Sequence, residues 1–350
     1  MSSAYKSIFE YEQAAIKFLS KDAYEYLAGG ADDKVTLKRN STSFSKIQLV
    51  PRRLIDVSKV DLSISLFGNE YASPIILSPV GMQKLFHPEG AMAAAKTAQL
   101  SKHLMIVSTV TNHSYASIAK EMNPKPWFQL YTTTRLEVTK DLILTAAANG
   151  CEVLVLTVDV PVVGNREKHA KMLVDNVESR ATTIENLAGK LGDEDHFHNP
   201  ALTWEIISWI RKHCNMKIIL KGILSPTDAA LCLQHEVDGI IVSNHGGRQL
   251  ESGLSTLEAL TDITPIIESK IRILLDGGIR RGTDVLKALA LGADAVCIGR
   301  PYIYGLAVGG APGVLDVLNI LDTELKRNMQ LCGIRNVEEI DGSYLRFPKW

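Results

Sequence analysis

Eight short apolar segments recur along this chain of 350 residues, and most of them are followed by a segment of helical length. Apolar runs that alternate with amphipathic helices indicate parallel βαβ units. Eight such units predict an α/β fold of the closed (β/α)8 or TIM-barrel type. The predicted strands are Ile75–Val80, Leu104–Ser108, Trp127–Tyr131, Glu152–Asp159, Lys217–Lys221, Gly239–Ser243, Arg272–Asp276 and Ala295–Gly299. The predicted helices are Gly90–Ser101, Arg135–Asn149, Pro226–His235, Leu257–Ser269 and Thr283–Leu291.

An open, doubly wound sheet is the alternative arrangement of such units. It is disfavoured because no G-x-G-x-x-G fingerprint follows the first predicted strand and no Walker loop is present. We therefore predict one domain over residues 1–350. Residues 1–70 form an N-terminal helical extension in this prediction, and residues 161–200 form a long polar insertion after the fourth strand.

The two segments outside the repeat carry local predictions of their own. In the extension, Ala28-Gly-Gly30 is expected to end a helix, whose buried face is expected to contain Tyr11, Ile16, Leu19 and Tyr24. In the insertion, a helical patch is expected around Thr183–Leu191. The same insertion contains His196-Phe-His198, whose spacing suits either a metal site or a solvated loop, and we favour the loop.

Composition excludes several classes of protein. A net charge of −1 gives no basic footprint for nucleic acid, and no run of 18 apolar residues predicts a membrane span. The N-terminal residues lack the apolar core of a signal peptide, and the C-terminal residues are not a peroxisomal address. An odd number of scattered cysteines without a CxxC pair favours a reducing compartment, so we expect a cytoplasmic protein. The five are Cys151, Cys214, Cys232, Cys297 and Cys332.

The carboxyl ends of the predicted strands carry polar groups, and in a parallel barrel these ends form the active site. After the sixth strand, His245 can take up a proton near neutral pH, and Arg248 offers a planar fork for a carboxylate or phosphate. Gly277-Gly278 and Gly299 offer backbone N–H groups after the last two strands, where Arg280 and Arg300 can neutralise a phosphate.

Polar side chains at other strand ends suit a flat heterocycle. Ser108, Gln129 and Thr157 offer hydroxyl and amide groups to the edge of a ring. Lys221 offers a positive charge beside a ring that gains negative charge on reduction, or alternatively forms an internal salt bridge. A phosphate together with a polar-edged ring predicts flavin mononucleotide, FMN, as the cofactor.

From about Tyr11 to about Ile340, the chain resembles the FMN-dependent α-hydroxy-acid oxidase and dehydrogenase family, which includes glycolate-, lactate- and mandelate-oxidising enzymes. The motifs that carry the resemblance are Tyr24-Glu-Tyr-Leu-Ala-Gly-Gly30, Met82-Gln83, His87-Pro-Glu-Gly90, Phe128-Gln-Leu-Tyr131, Leu156-Thr-Val-Asp159, Lys221-Gly222, Ser243–Gln249, Asp276-Gly-Gly-Ile-Arg-Arg-Gly-Thr-Asp284 and Ile298-Gly-Arg-Pro301.

The resemblance implies a role for each matching residue. His245 would take a proton from the substrate, Asp159 would stabilise the imidazolium, and Tyr131 would hydrogen-bond the substrate oxygen. Arg248, Arg166 and the hydroxyl of Tyr26 would bind the substrate carboxylate. The FMN-binding set would comprise Pro79, Val80 and Gly81 beside flavin N5, together with Ser108, Gln129, Thr157, Lys221, Ser243, Asp276, Gly278, Arg280, Gly299 and Arg300.

The chain departs from the family pattern at several positions. Val110 and Val163 replace larger side chains, which predicts a roomier substrate pocket. Gly81 stands where many oxidases have alanine, which predicts extra space beside flavin N5. After Arg166 the chain reads Glu-Lys-His-Ala-Lys-Met-Leu173 instead of the usual family pattern, and the insertion is shorter than usual.

The resemblance implies FMN-dependent oxidation of an L-2-hydroxy acid to the 2-oxo acid, with molecular oxygen as acceptor and hydrogen peroxide as product. It also implies a homotetramer. A dehydrogenase with a quinone or carrier protein as acceptor is the alternative. A nucleotide dehydrogenase would need a catalytic cysteine loop, which is not evident. A flavin-binding protein without activity is disfavoured because His245, Asp159, Arg248 and Tyr131 are all present.

Overall fold

The computed structural model describes residues 5–166, 184–192, 195–196 and 198–347. Its strands are β1 (Gln48–Leu49), β2 (Ile64–Leu66), β3 (Asn69–Tyr71), β4 (Ile75–Leu77), β5 (Ile106–Ser108), β6 (Trp127–Leu130), β7 (Val153–Thr157), β8 (Lys217–Ile223), β9 (Gly239–Val242), β10 (Arg272–Asp276), β11 (Ala295–Ile298) and β12 (Leu345–Arg346).

The helices of the described residues are α1 (Ile8–Phe18), α2 (Lys21–Ala28), α3 (Val35–Thr42), α4 (Gly90–Ser101), α5 (Tyr115–Lys120), α6 (Leu136–Ala148), α7 (Glu205–Arg211), α8 (Pro226–Gln234), α9 (Thr256–Ile267), α10 (Gly282–Ala290) and α11 (Arg300–Cys332). Short 3₁₀ turns span Ser43–Lys46, Gln83–Leu85, Val337–Glu339 and Gly342–Tyr344.

Strands β4 to β11 form one parallel sheet in the order β4-β11-β10-β9-β8-β7-β6-β5. The two ends of the sheet meet, because the amide of Leu77 in β4 donates to the carbonyl of Leu104 at 2.9 Å, just before β5. A parallel bridge between Leu77 and Met105 completes the closure. The predicted (β/α)8 barrel is therefore confirmed, with each of the eight strands at its predicted place.

The alternation of side chains along each strand divides the apolar core into two layers. In β7, Val153 and Val155 point into the barrel, where they join Trp127 and other residues of the inner cluster. Leu154 and Leu156 point outward and pack in the layer between the sheet and its helices. Both faces of the sheet are thus covered, as expected for an all-parallel sheet.

The five predicted barrel helices are confirmed within two residues at each end. Helices α3, α5, α7 and α11 and the short strands β1–β3 and β12 were not predicted from the sequence. Helix α11 is long and apolar enough to cross a membrane by length and composition. It bends at Gly309 and Gly310, which have non-helical φ/ψ, and 56% of its most apolar window is buried in the fold. These two features are those of a core helix.

The N-terminal extension differs from its prediction. The expected single helix is broken between α1 and α2, because Leu19 is extended and the Ser20 side chain caps a new helix by accepting from Ala23 N–H at 3.2 Å. The predicted buried face is wrong at Ile16, whose side chain is 46% exposed. The predicted helix end is confirmed, since α2 ends at Ala28 with Gly29 as its C-cap.

The predicted helical patch of the insertion is also wrong within the described residues. Residues 185–190 form successive turns and not a helix. Thr183, at the start of that patch, lies outside the described residues, as does the segment Glu167–Leu173 in which the chain departs from the family pattern.

Candidate active site

A cavity of about 420 Å³ lies at the carboxyl ends of the barrel strands. Most of the predicted site residues line it, namely Tyr26, Pro79, Val80, Gly81, Ser108, Val110, Tyr131, Val163, Arg166, Lys221, His245, Arg248, Asp276, Gly278, Arg280, Gly299 and Arg300. The other four lie just behind the wall. Asp159, Gln129 and Ser243 hydrogen-bond to lining residues, and Thr157 pairs with Lys221 in the sheet.

The loop after β9 presents His245 to the cavity through an unusual backbone. His245, Gly246 and Gly247 have φ values of 56°, 64° and 71°. Three consecutive residues in the left-handed region are unfavourable for any residue other than glycine. At Gly247 a Cβ atom would lie 2.6 Å from the backbone nitrogen of Leu37, so no larger residue fits. A histidine held in this region of φ/ψ space is a strained position of the kind found at functional sites.

His245 is paired with a buried carboxylate. Its Nδ1 lies 2.9 Å from Oδ1 of Asp159, which leaves Nε2 as the ring nitrogen not used in this pair. Burial, assisted by the charges of Lys221 and Arg248, lowers the pKa of His245 although Asp159 opposes the shift. Burial raises the pKa of Asp159, but Lys221 and His245 outweigh it and hold that pKa below its usual value. The pair therefore consists of a neutral imidazole and a carboxylate near neutral pH.

Lys221 sits at the centre of a buried polar network. Its Nζ donates to Ser243 Oγ at 2.8 Å and lies 3.4 Å from Asp276 Oδ2 and 3.9 Å from Asp159 Oδ2. Burial would lower the pKa of Lys221, but the two carboxylates dominate and raise it. Lys221 therefore forms the internal salt bridges that were the alternative to a role at the ring. Because Lys221 also lines the cavity, the same ammonium can face a bound ring.

Two arginines gather positive charge at one side of the cavity. Arg248 lies over the ring of Tyr26 at 4.7 Å and donates to its carbonyl oxygen at 2.6 Å. Arg166 is close enough that burial, and then Arg248, lower its pKa to about 10. Among the described residues, Nε of Arg166 has no hydrogen-bond partner. Two adjacent cations with unused donor capacity form a site for an anion such as a carboxylate.

One residue of this cavity was missed by the sequence analysis. The ring of His198 meets that of Tyr131 edge-on, with centroids 5.0 Å apart. Burial, together with His245, Arg166 and His196, lowers the pKa of His198 to about 4, so its ring is neutral near neutral pH. The His-x-His spacing at His198 suited a metal site or a solvated loop, and nothing in it predicted a position beside Tyr131.

The opposite side of the cavity fits the phosphate and ring of FMN. Gly277 and Gly278 have φ values of 90° and 88°, which turn the chain sharply after β10. Helix α11 begins at Arg300, with Gly299 as its N-cap and no side-chain cap, and the free N–H groups of a helix start favour an anion. Gln129 Nε2 and Thr157 Oγ1 are buried polar atoms that have no hydrogen-bond partner within the described part of the chain. Such atoms require a polar partner, and the edge of a flavin supplies one.

Arg300 differs from its predicted use at the phosphate. Its guanidinium donates to the carbonyl oxygens of Leu27 at 2.9 Å, Gly246 at 3.0 Å and Gly29 at 2.7 Å. These three bonds tie the end of α2 to the loop that carries His245. Burial, and then Arg248, lower the pKa of Arg300 to about 9. Arg280 makes a single such bond, to the carbonyl of Ile279 at 2.9 Å, and remains the cation most available to a phosphate.

The expected extra space at Gly81 is wrong. A Cβ atom on Gly81 would overlap Cγ2 of Val110 and lie 3.0 Å from the Val110 carbonyl oxygen. Val110 therefore fills the position that an alanine methyl group would take. The roomier pocket remains at Val163, whose side chain lines the cavity and is 51% exposed.

The two histidines of the His-x-His motif point to different places. His196 is exposed and its backbone bonds to Thr134, whereas His198 lies in the cavity. Within residues 5–166, 184–192, 195–196 and 198–347, no group of three or more His, Cys, Asp or Glu side chains could hold a metal ion.

Comparison with known proteins identifies the family and several relatives of this chain. Residues 15–347 match the family model described as FMN-dependent dehydrogenase. A 2-hydroxyacid oxidase of Dictyostelium discoideum is 41% identical, over 98% of this chain and 90% of that protein. An L-lactate oxidase of a Nostoc species is also 41% identical, over 97% of both chains. A crystal structure of mandelate oxidase superposes with a TM-score of 0.90 at 36% identity, over 98% of each chain.

Proposed function

Because this chain belongs to the family of FMN-dependent dehydrogenases, we propose that it is an FMN-dependent oxidase that converts an L-2-hydroxy acid to the 2-oxo acid. Molecular oxygen is the acceptor and hydrogen peroxide the product. The observation that carries the proposal is one cavity that joins the His245–Asp159 pair, the Arg166–Arg248 pair and the glycine turns after β10 and β11. The names of its relatives, oxidases of 2-hydroxyacids, lactate and mandelate, support it.

Bound FMN supplies the electron acceptor for the oxidation of the α-carbon. The residues that would hold it are those whose polar atoms lack partners, Gln129 and Thr157, together with Lys221 and the N–H groups near Gly278 and Gly299. The ammonium of Lys221 stays charged because of Asp276 and Asp159, so it offers a fixed positive charge to the ring. Arg280, which lines the cavity, would neutralise the phosphate.

The protein residues then orient the substrate and move its proton. Arg248 and Arg166 bind the carboxylate, which fixes the α-carbon between them and His245. His245 is neutral and can accept a proton at Nε2, while Asp159 holds Nδ1 and stabilises the imidazolium that forms. Burial raises the pKa of Tyr131 above its usual value, so its hydroxyl stays protonated and can donate to a substrate oxygen.

A single anaerobic experiment tests this function. The purified protein is mixed with a panel of L-2-hydroxy acids, flavin bleaching is followed, and air is then admitted. We expect bleaching by at least one acid and rapid recovery of the yellow colour with formation of hydrogen peroxide. Mass analysis of the released cofactor should give FMN. Bleaching without recovery in air would instead favour a dehydrogenase with another acceptor.

We also propose a homo-oligomer, a tetramer by the family resemblance, in the cytoplasm. Exposed apolar side chains on α1, Phe9 and Phe18, support an interface. Five cysteines without disulfides support a reducing compartment. Light scattering after gel filtration and localisation of a tagged chain test the two proposals.

A further inference from the structure

A second cavity of about 320 Å³ lies outside strands β7 and β8, beside helix α7. Its walls are mixed, with a small excess of apolar surface over polar groups such as Asn199, Thr203 and Asp228. Leu156 and Leu220 come from the two strands, and Leu202, Ile206 and Ile207 come from α7 and the segment before it. None of these side chains has a part in the chemistry proposed above. Its volume lies at the lower end of the range for small-molecule sites and is far larger than one oxygen molecule needs.

The second cavity shares a wall with the active-site cavity. Tyr131, Val160 and His198 line both of them. The rings of Tyr131 and His198 meet edge-on at 5.0 Å, so the wall is made of two rings and one isopropyl group. The ring of His198 is partly exposed and neutral near neutral pH. The partition between the cavities therefore carries no charge.

The apolar lining of the active-site cavity extends to this wall, because Val160 lines both cavities. A carboxylate held by Arg166 and Arg248 occupies the polar side. The remaining substituent of the α-carbon must then extend along apolar side chains, and Val160 and Val163 are such lining residues. Val160 leads to the partition and to the second cavity behind it.

We propose that the second cavity binds the distal apolar part of the substrate, so that the enzyme acts on 2-hydroxy acids with long apolar side chains. His198 is the residue that separates the space for a short acid from this extension. The inference rests on the proposed function, because it assumes that a 2-hydroxy acid binds between the two arginines.

The test uses the FMN-bound enzyme and a series of straight-chain L-2-hydroxy acids from three to twelve carbons. The apparent Kd and the rate of flavin bleaching are measured anaerobically. The matching 2-oxo acids are titrated by their effect on the flavin spectrum, which reports binding without turnover. We expect Kd to fall about three- to fourfold per added methylene beyond the reach of the first cavity, followed by a plateau when the second is full.

Two variants alter the second cavity alone. Leu202→Trp narrows it, and Leu202→Asn makes its wall polar with the same number of side-chain heavy atoms. Leu202 is partly buried, so both changes are milder than substitutions of the fully buried wall. We expect lactate kinetics within twofold of the parent in both, and a loss of at least tenfold in affinity for the longest acids. Leu233→Trp is the control, a partly buried leucine in α8 that lines neither cavity.

A third variant, His198→Ala, removes the partition, and we expect the ratio of the Kd for lactate to the Kd for the longest acids to rise. The proposal is overturned if Kd does not depend on chain length, or if Leu202→Trp and Leu202→Asn leave that dependence intact. It is also overturned if Leu202→Trp slows only reoxidation by air, since the cavity would then serve oxygen. In each of these outcomes, flavin bleaching by short 2-hydroxy acids would still support the proposed function, so the two proposals can fail separately.

Discussion

The substrate end of the active-site cavity is formed mainly by side chains, whereas the phosphate end is formed mainly by backbone. At the substrate end, side chains converge, with His245 and Arg248 on one loop and Asp159 behind them. At the phosphate end, the backbone dominates, with the turn at Gly277–Gly278 and the uncapped start of α11. Substitutions at the substrate end should therefore change the chemistry, whereas those at the phosphate end should change cofactor retention and local architecture.

The largest effect is expected at the centre of the substrate end. His245→Gln keeps hydrogen-bonding capacity but cannot take up the proton, so flavin bleaching should slow by about 10²- to 10⁴-fold. FMN should stay bound with an unchanged spectrum. His245→Asn is a useful second variant, because asparagine tolerates the left-handed φ of this position better. Bleaching at close to the parental rate in both variants would remove His245 from the mechanism.

At the phosphate end, Arg300 and Arg280 are expected to differ in their contribution to stability. Arg300→Lys cannot reproduce three hydrogen bonds to the carbonyls of Leu27, Gly29 and Gly246. The free energy of unfolding should fall by about 2 to 4 kcal/mol. Arg280→Lys, the control, should weaken FMN binding with a smaller loss of stability. Thermal unfolding and FMN titration separate the two effects, and equal losses of stability in both variants would show that Arg300 has no greater structural role than Arg280.

Arg248→Lys should weaken substrate binding by about 10- to 100-fold, because a lysine lacks the planar fork that holds a carboxylate through two bonds. The bleaching rate at saturation should fall as well, since the α-carbon is less well oriented. Stopped-flow titration gives both quantities. Equal kinetics for a hydroxy acid and its methyl ester in the parent enzyme would contradict a carboxylate site.

The pH dependence tests the same end of the cavity. His245 acts as a base only when neutral, and burial lowers its pKa below the usual value. Bleaching should therefore be fast near neutral pH and fall as the pH drops below about 6.5 through the lowered pKa. Asp159→Asn removes a charge that raises this pKa, so the fall of the bleaching rate on the acid side of the pH profile should move to lower pH, and the maximum rate should decrease. A shift of that fall to higher pH would contradict the electrostatic coupling between Asp159 and His245.

Features that depend on neighbouring residues could be predicted from the sequence, whereas contacts between distant residues could not. The strands and the residues at their ends could be predicted because short apolar runs and local motifs such as Ser243–Gln249 depend on neighbours in sequence. The bonds of Arg300 to Leu27 and Gly246 span 273 and 54 residues, and such contacts leave no local signal. His198 was missed for the same reason, since only the folded chain brings it to Tyr131.

The smallest expected effect lies between the two ends, at Gly81. Val110 Cγ2 occupies the place of a methyl group on this residue, so Gly81→Ala alone overpacks the site and should cost about 1 to 3 kcal/mol of stability. Val110→Ala should relieve that cost in the double variant, a coupling that a double-mutant cycle measures.

Reoxidation by air should change most in Val110→Ala alone, because only that variant opens space beside the flavin. The double variant should reoxidise within about fivefold of the parent, because exchanging one methyl group for another at nearly constant volume should change the free energy there by about 1 kcal/mol or less. A larger change in the double variant than in Val110→Ala would show that the identity of residue 81, and not the filled volume, controls the reaction with oxygen.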